Sequence, residues 1–242
     1  MADDELVLLA QIGRALDCVD VRTCACDKLR ARYERSDPPE PKEPTAAARF
    51  GPCGSCKTAV QVIALARAQD IPSLIKRAAY ELVACPQLWS RIDGGMRAGK
   101  LPRVPILKLE DMVRLYAARE WLQRQWRVLV LTPPGRVVDV EGRATGCMCI
   151  SQKEGREKAE WCNWVQGATR ELKWFWIWRI FIEEGAKDPF TGLGLLKKQE
   201  SVLLQGGWCE RCFRERSEAW NTAKVQWWAE LDGRLKIGRA HV

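Results

Sequence analysis

The sequence predicts an all-α fold, helical hairpins leading into a Trp-rich helical bundle. Three observations point to it. Apolar residues recur at three- and four-residue intervals through the long segments. Pro and Gly gather between those segments. One helix pair also echoes another at a displacement of 53 residues, from Asp17 to Asp70.

Residues 5–16 read as the first helix, with Leu9, Ile12 and Leu16 on one side. Asp20 suits the N-cap of a second helix, which Val21, Ala25 and Leu29 continue to about Tyr33. Residues 36–56 hold SDPPEPKEP and a GPCGSC turn, an exposed linker by composition. Residues 57–69 and 72–85 form the second pair, Pro72 occupying the first-turn position where its fixed φ suits a helix. The displacement of 53 sets Leu9 on Val62, Ile12 on Leu65, Asp17 on Asp70, Val21 on Leu74, Ala25 on Ala78 and Leu29 on Leu82. Two related αα-hairpins are the economical reading.

A short PQLWSRI helix follows, then a Gly/Pro-rich loop over residues 93–105. Residues 109–131 form a long helix with Leu115, Ala118, Leu122, Trp126 and Leu129 on one stripe, broken by TPPG. Residues 137–141 are expected to pair with 128–131 as a short hairpin, and 142–155 to be loop holding Cys147 and Cys149. In residues 157–184, Trp161, Ala168, Phe175 and Ile182 recur every seven positions, the stripe of a core helix that Gly185 would stop. A strand is the rival there, because Leu172, Trp174, Trp176, Trp178, Ile180 and Ile182 alternate. The run is too short for a bilayer, which takes about 20 apolar residues. Asp188-Pro189 opens the next helix, which Gly206-Gly207 ends. The last helix starts near Trp208, with Phe213, Trp220, Trp227 and Leu231 along it.

The chemistry is mostly exclusion. The one histidine, His241, lies in the closing IGRAHV, which matches a translated short-read sequencing adapter; residues 236–242 are set aside as artefact. Without another His, a nucleotide-binding motif or a paired nucleophile and base, the chain reads as a non-enzyme. The net charge of +8 is spread along the chain, which disfavours nucleic-acid binding, although a zinc-containing nucleic-acid-binding regulator stays as the alternative. The opening MADDELVLL lacks the basic start of a secretory signal, and eleven Cys is an odd number, so reduced thiols in the nucleus or cytoplasm are expected.

Cys209 and Cys212 have half of a zinc site's spacing, and Cys147 and Cys162 are the candidate remaining ligands of one structural zinc. The competing reading makes Cys209 and Cys212 small core residues. Cys53 and Cys56 sit in a Gly-rich turn that could be a second metal half-site or a redox pair. Cys24, Cys26 and Cys85 are expected in helices as buried small residues.

LARAQDIPSLIKRAAYEL, residues 65–82, resembles the helical segment that follows the BTB/POZ fold in a group of fungal, basidiomycete-type BTB-domain proteins. The helix at 115–126, the Cys147 loop, Asp188-Pro189 and Cys209-x-x-Cys212 with Trp220, Trp227 and Leu231 resemble later pieces of the family in order. The first hairpin resembles the closing helices of the BTB fold. The resemblance implies 1–35 as that hairpin, 36–56 as linker, 57–131 as a BACK-like helical region, 132–156 as a Cys-bearing loop and 157–235 as a Trp/Cys-rich helical region. It also implies a protein-interaction module with protein partners, recruiting a substrate or partner to a ubiquitin ligase. The strand-rich BTB core is missing, so self-association through it and a cullin contact attach to no residue here.

Overall fold

The computed structural model describes residues 1–39, 54–97, 107–131, 137–138, 144–145, 148–151, 158–161, 185–205 and 210–235. Among them helices dominate, and the fold is all-α with two short antiparallel ladders as its only departure. The chain divides into two compact units. One holds Met1–Pro38, Glu43–Trp121 and Trp228–Val242; the other holds Pro39–Lys42 and Leu122–Trp227.

In the first unit, α1 (Asp3–Ala15) and α2 (Val19–Tyr33) pack along each other. They approach so closely that a Cβ on Gly13 would lie 2.8 Å from the Arg22 backbone nitrogen. Next come α3 (Gly54–Ala68), a 3-10 turn at Pro72–Leu74 and α4 (Ile75–Val83). The two pairs share one turn geometry. Asp17 and Asp70 both take φ 53°, a left-handed conformation that Asp tolerates better than most side chains. The Cys18 N–H donates to Gly13 O at 2.8 Å, and the Ile71 N–H to Ala66 O at 2.8 Å, the same long return bond displaced by 53. Burial repeats as well: Leu6 and Ala59, Ala10 and Ile63, Ala25 and Ala78, Leu29 and Leu82 are all in the core.

The inward face of α1 differs from the sequence expectation. Leu6, Val7, Ala10 and Gly13 are buried, whereas Ile12 is 41% and Leu16 74% exposed. The helix is apolar on both sides, and the close approach that Gly13 permits decides which side meets α2. Asp20 is not the N-cap of α2; Cys18 holds that position and Asp20 lies in the first turn.

α5 (Pro86–Arg97) continues through residues expected to be loop, since 93–97 are still helical. Its Trp89 indole N–H points at the C-terminal carbonyls of α4, 3.0 Å from Leu82 O and 2.9 Å from Val83 O. α6 (Leu109–Leu131) follows, its first half belonging to this unit. Arg67 of α3 donates to Asp111 of α6 at 2.6 Å, and the same carboxylate oxygen accepts the Lys108 N–H at 3.0 Å. The end of α9 (Glu210–Arg234) completes the unit: Trp228 meets the Tyr80 ring edge-on at 5.7 Å, and Lys76 lies over its indole while pairing with Asp232 at 2.8 Å.

The second unit gathers around Trp126. Leu122 and Trp126 are fully buried on the α6 stripe, but Val130 continues it where Leu129 was expected. α7 (Pro189–Lys198) starts as the sequence predicts, the Asp188 carboxylate accepting from the Thr191 N–H at 3.1 Å and the Thr191 hydroxyl at 2.8 Å. The expected single helix is broken at Gln199, after which α8 (Glu200–Gln205) begins. Residues 185–187 are helical, so Gly185 is no helix stop. Its role is packing: a Cβ there would overlap the Trp126 ring, and one on Gly192 would approach it to 2.7 Å. Phe190, Leu196, Phe213 and Trp220 close the core, with Phe213 and Trp220 edge-on at 6.1 Å.

The ladders also belong to this unit. β1 (Val137–Val138) pairs with β2 (Ala144–Thr145), and β3 (Met148–Ser151) with β4 (Lys158–Trp161), both antiparallel. The anticipated pairing of 137–141 with 128–131 is therefore wrong, because 128–131 remain helical and retain helix hydrogen bonding. Residues 148–151, anticipated as loop, form a strand. Residues 158–161 are strand where the Trp-rich helix was expected to begin, with Trp161 opposite Met148; residues 162–184 lie outside the described residues.

Candidate functional site: a guanidinium cleft and an outward apolar face

Residues at the turns of the two helix pairs in the first unit border an open cleft of about 510 Å³. Arg14, Arg22 and Arg30 line it, together with Asp70 and Thr23. The helices place them simply. Arg22 and Arg30 are eight residues apart on α2, about two turns along the helix, and Arg14 comes from the last turn of α1.

Each arginine is held differently. Arg14 Nη1 donates to Ala68 O at 3.2 Å, setting a positive charge against the last carbonyl of α3 where the helix dipole favours one. Arg30 pairs with Asp27 at 2.9 Å and Glu34 at 3.5 Å on its own helix. Arg22 makes no ion pair among the described residues. Gln69 lies at the wall, its Oε1 3.5 Å from the Cys26 sulfur. Burial pushes the Cys26 thiol above its ordinary range, outweighing the lowering effect of Arg30. A thiol so placed is less readily ionised.

A second surface lies on the other side of α1. Leu8 (56% exposed), Ile12 and Leu16 stand at four-residue spacing, an apolar ridge on one helix face. Exposed Val19 follows just after the turn.

The structure leaves most of the anticipated metal site undescribed. Cys147, Cys162 and Cys209 lie outside the described residues; Cys212 is in α9, with its side chain not described. Among the described residues, no group of three His, Cys, Asp or Glu is arranged to hold a metal. Three cysteine expectations need correction. Cys56 is paired with Cys85 by a disulfide across Cα atoms 6.8 Å apart, a partner that its spacing to Cys53 did not suggest. Cys85 lies between α4 and α5 rather than inside a helix, which puts it within reach of the first turns of α3. Of the three expected to be buried, Cys26 and Cys85 are buried but Cys24 is exposed, because only one side of α2 meets its neighbours. Among the described residues, no helix is long and apolar enough to cross a membrane.

The cleft was missed in the sequence because its arginines look like ordinary surface charge. The available signal was the displacement of 53 itself: it aligns the turns, and residues beside aligned turns meet. No protein family, curated protein or solved structure matches the chain.

Proposed function

We propose that this chain is a non-enzymatic protein-interaction module that docks an amphipathic helix of a partner protein. The observation that supports it is the second apolar face of α1. A helix surrounded by water on one side has no folding reason to carry Leu8, Ile12 and Leu16 there, and such a ridge complements the groove between side chains of another helix. Exposed Asp4 at the same end of α1 favours a partner helix with a basic residue at that position. The resemblance of residues 65–82 to the post-BTB helices supports reading the docked protein as one recruited to a larger assembly of the ubiquitin-ligase adaptor type.

The test compares the full chain with its Leu8→Lys/Ile12→Lys/Leu16→Lys variant by proximity labelling in cells, followed by hydrogen exchange on the recovered complex. The expected result is a partner lost by the variant and slowed exchange along α1 in its presence, with the circular dichroism of the free chain unchanged. Recovery of the same partners by the variant refutes the reading. A dimer of this chain that the same substitutions dissolve refutes it too, since the ridge would then be covered by a second copy.

A further inference from the structure

We propose that the cleft between the two helix-pair turns is a binding site for a phosphoryl group, a phosphate monoester carried by a small molecule or a polypeptide side chain. This rests on the cleft alone and is independent of the apolar ridge of α1.

The first argument is charge. Arg30 is compensated by Asp27 and Glu34. Arg14 and Arg22 are not: Arg14 is bonded to a neutral carbonyl, and Arg22 makes no ion pair among the described residues. Two uncompensated arginines in one lining complement a dianion better than a single carboxylate. Asp70 opposes this from the same lining, so a weakly charged ligand would gain little.

The second argument is preorganisation. The Arg14 bond to Ala68 O fixes one guanidinium before any ligand arrives, and its remaining N–H donors stay available. Arg22 rises from the α2 turn locked against Gly13, whose missing Cβ lets the backbones meet. Side chains rooted in a rigid contact lose less freedom on binding. Thr23 adds a hydroxyl donor for a further phosphoryl oxygen.

The third argument is size. About 510 Å³ exceeds a lone inorganic anion and falls in the range of small-ligand sites. The group that carries the phosphoryl therefore also has room.

The experiment titrates the full chain by calorimetry at roughly 0.15 M salt, where diffuse surface attraction is screened. The probes are a phosphoserine hexapeptide, its unphosphorylated twin and free O-phosphoserine. The phosphopeptide should bind about tenfold or more tighter than its twin. Arg22→Gln should remove that difference, and Asp70→Asn should strengthen binding about threefold by deleting the opposing charge. Lys28→Gln, on α2 but away from the cleft lining, should change nothing. Equal binding of O-phosphoserine and the phosphopeptide assigns the source to small esters; preference for the peptide assigns it to a protein. The proposal is overturned if no phosphorylated probe binds below ~1 mM, if Arg22→Gln binds like the wild type, or if Lys28→Gln loses as much as Arg22→Gln. Because Arg22→Gln is a partly exposed change, unaltered melting of that variant separates lost binding from lost fold.

Discussion

Replacing Arg67 by Met should cost far more than a surface arginine usually does. The Asp111 side chain is only 5% exposed, and its Oδ2 accepts from Arg67 at 2.6 Å and from the Lys108 N–H at 3.0 Å. Met keeps the apolar stem of Arg67 but removes the charge, leaving a buried carboxylate with one neutral donor. Breaking a buried pair in this way costs about 3–5 kcal/mol. Arg67 is itself 23% exposed, so water can partly replace it, and the lower end applies: ~3 kcal/mol. For a chain of this size that is a fall in Tm of roughly 6–12 °C. Asp111→Asn should cost less, about 1–2 kcal/mol, since the amide oxygen can still accept from Lys108. The double variant is the informative one. With both partners neutral no buried charge is stranded, so its loss should be smaller than the sum of the single losses by ~1–2 kcal/mol. Urea unfolding followed by circular dichroism at 222 nm measures all four forms. A loss below ~1 kcal/mol for Arg67→Met, or strict additivity in the cycle, would refute the view that this pair fastens α3 to α6.

Trp220→Ala, at a fully buried ring edge-on to Phe213, should lose about 3–5 kcal/mol in the same assay, and a loss under ~1 kcal/mol would mean the second unit's core is not built on it. Burial, reinforced by the negative charges of Glu81 and Asp3, pushes the Tyr33 phenol far above its ordinary range, and its hydroxyl donates to Asp3 at 3.2 Å. An unfolded chain releases that proton near pH ~10 while the folded one keeps it, so stability holds below ~pH 10 and falls as pH rises further. Tyr33→Phe should flatten that alkaline fall; an unchanged slope sinks the assignment. Asp17 and Asp70 share a left-handed φ of 53°, so Gly at either should leave stability within ~0.5 kcal/mol, while Val at either should lose about 1–2 kcal/mol by thermal melting. Equal stability of the Gly and Val variants would contradict the shared turn.

The sequence alone determined the features that depend on neighbours along the chain. Helical spacing placed α2, α6 and the stripe from Phe213 to Leu231, and Asp188-Pro189 announced its helix because the cap is a local bond between Asp188 and Thr191. The displacement of 53 was legible for the same reason, since each αα-turn is specified by a few adjacent residues. What the tertiary structure decided were choices between locally equivalent options. α1 is apolar on two faces, and only the contact at Gly13 selects the face bearing Leu6 and Ala10, which turns Ile12 and Leu16 toward solvent. Gly185 resembles a helix stop until Trp126 occupies the space its side chain would need. Cys56 and Cys85 lie 29 residues apart, and only folding brings their sulfurs together. Arg14 and Arg22 read as solvated charge in the linear chain; they become a site because two turns, each locally encoded, come together around them. Local bonds can be read from spacing, whereas which surfaces meet depends on shape complementarity between segments far apart in sequence.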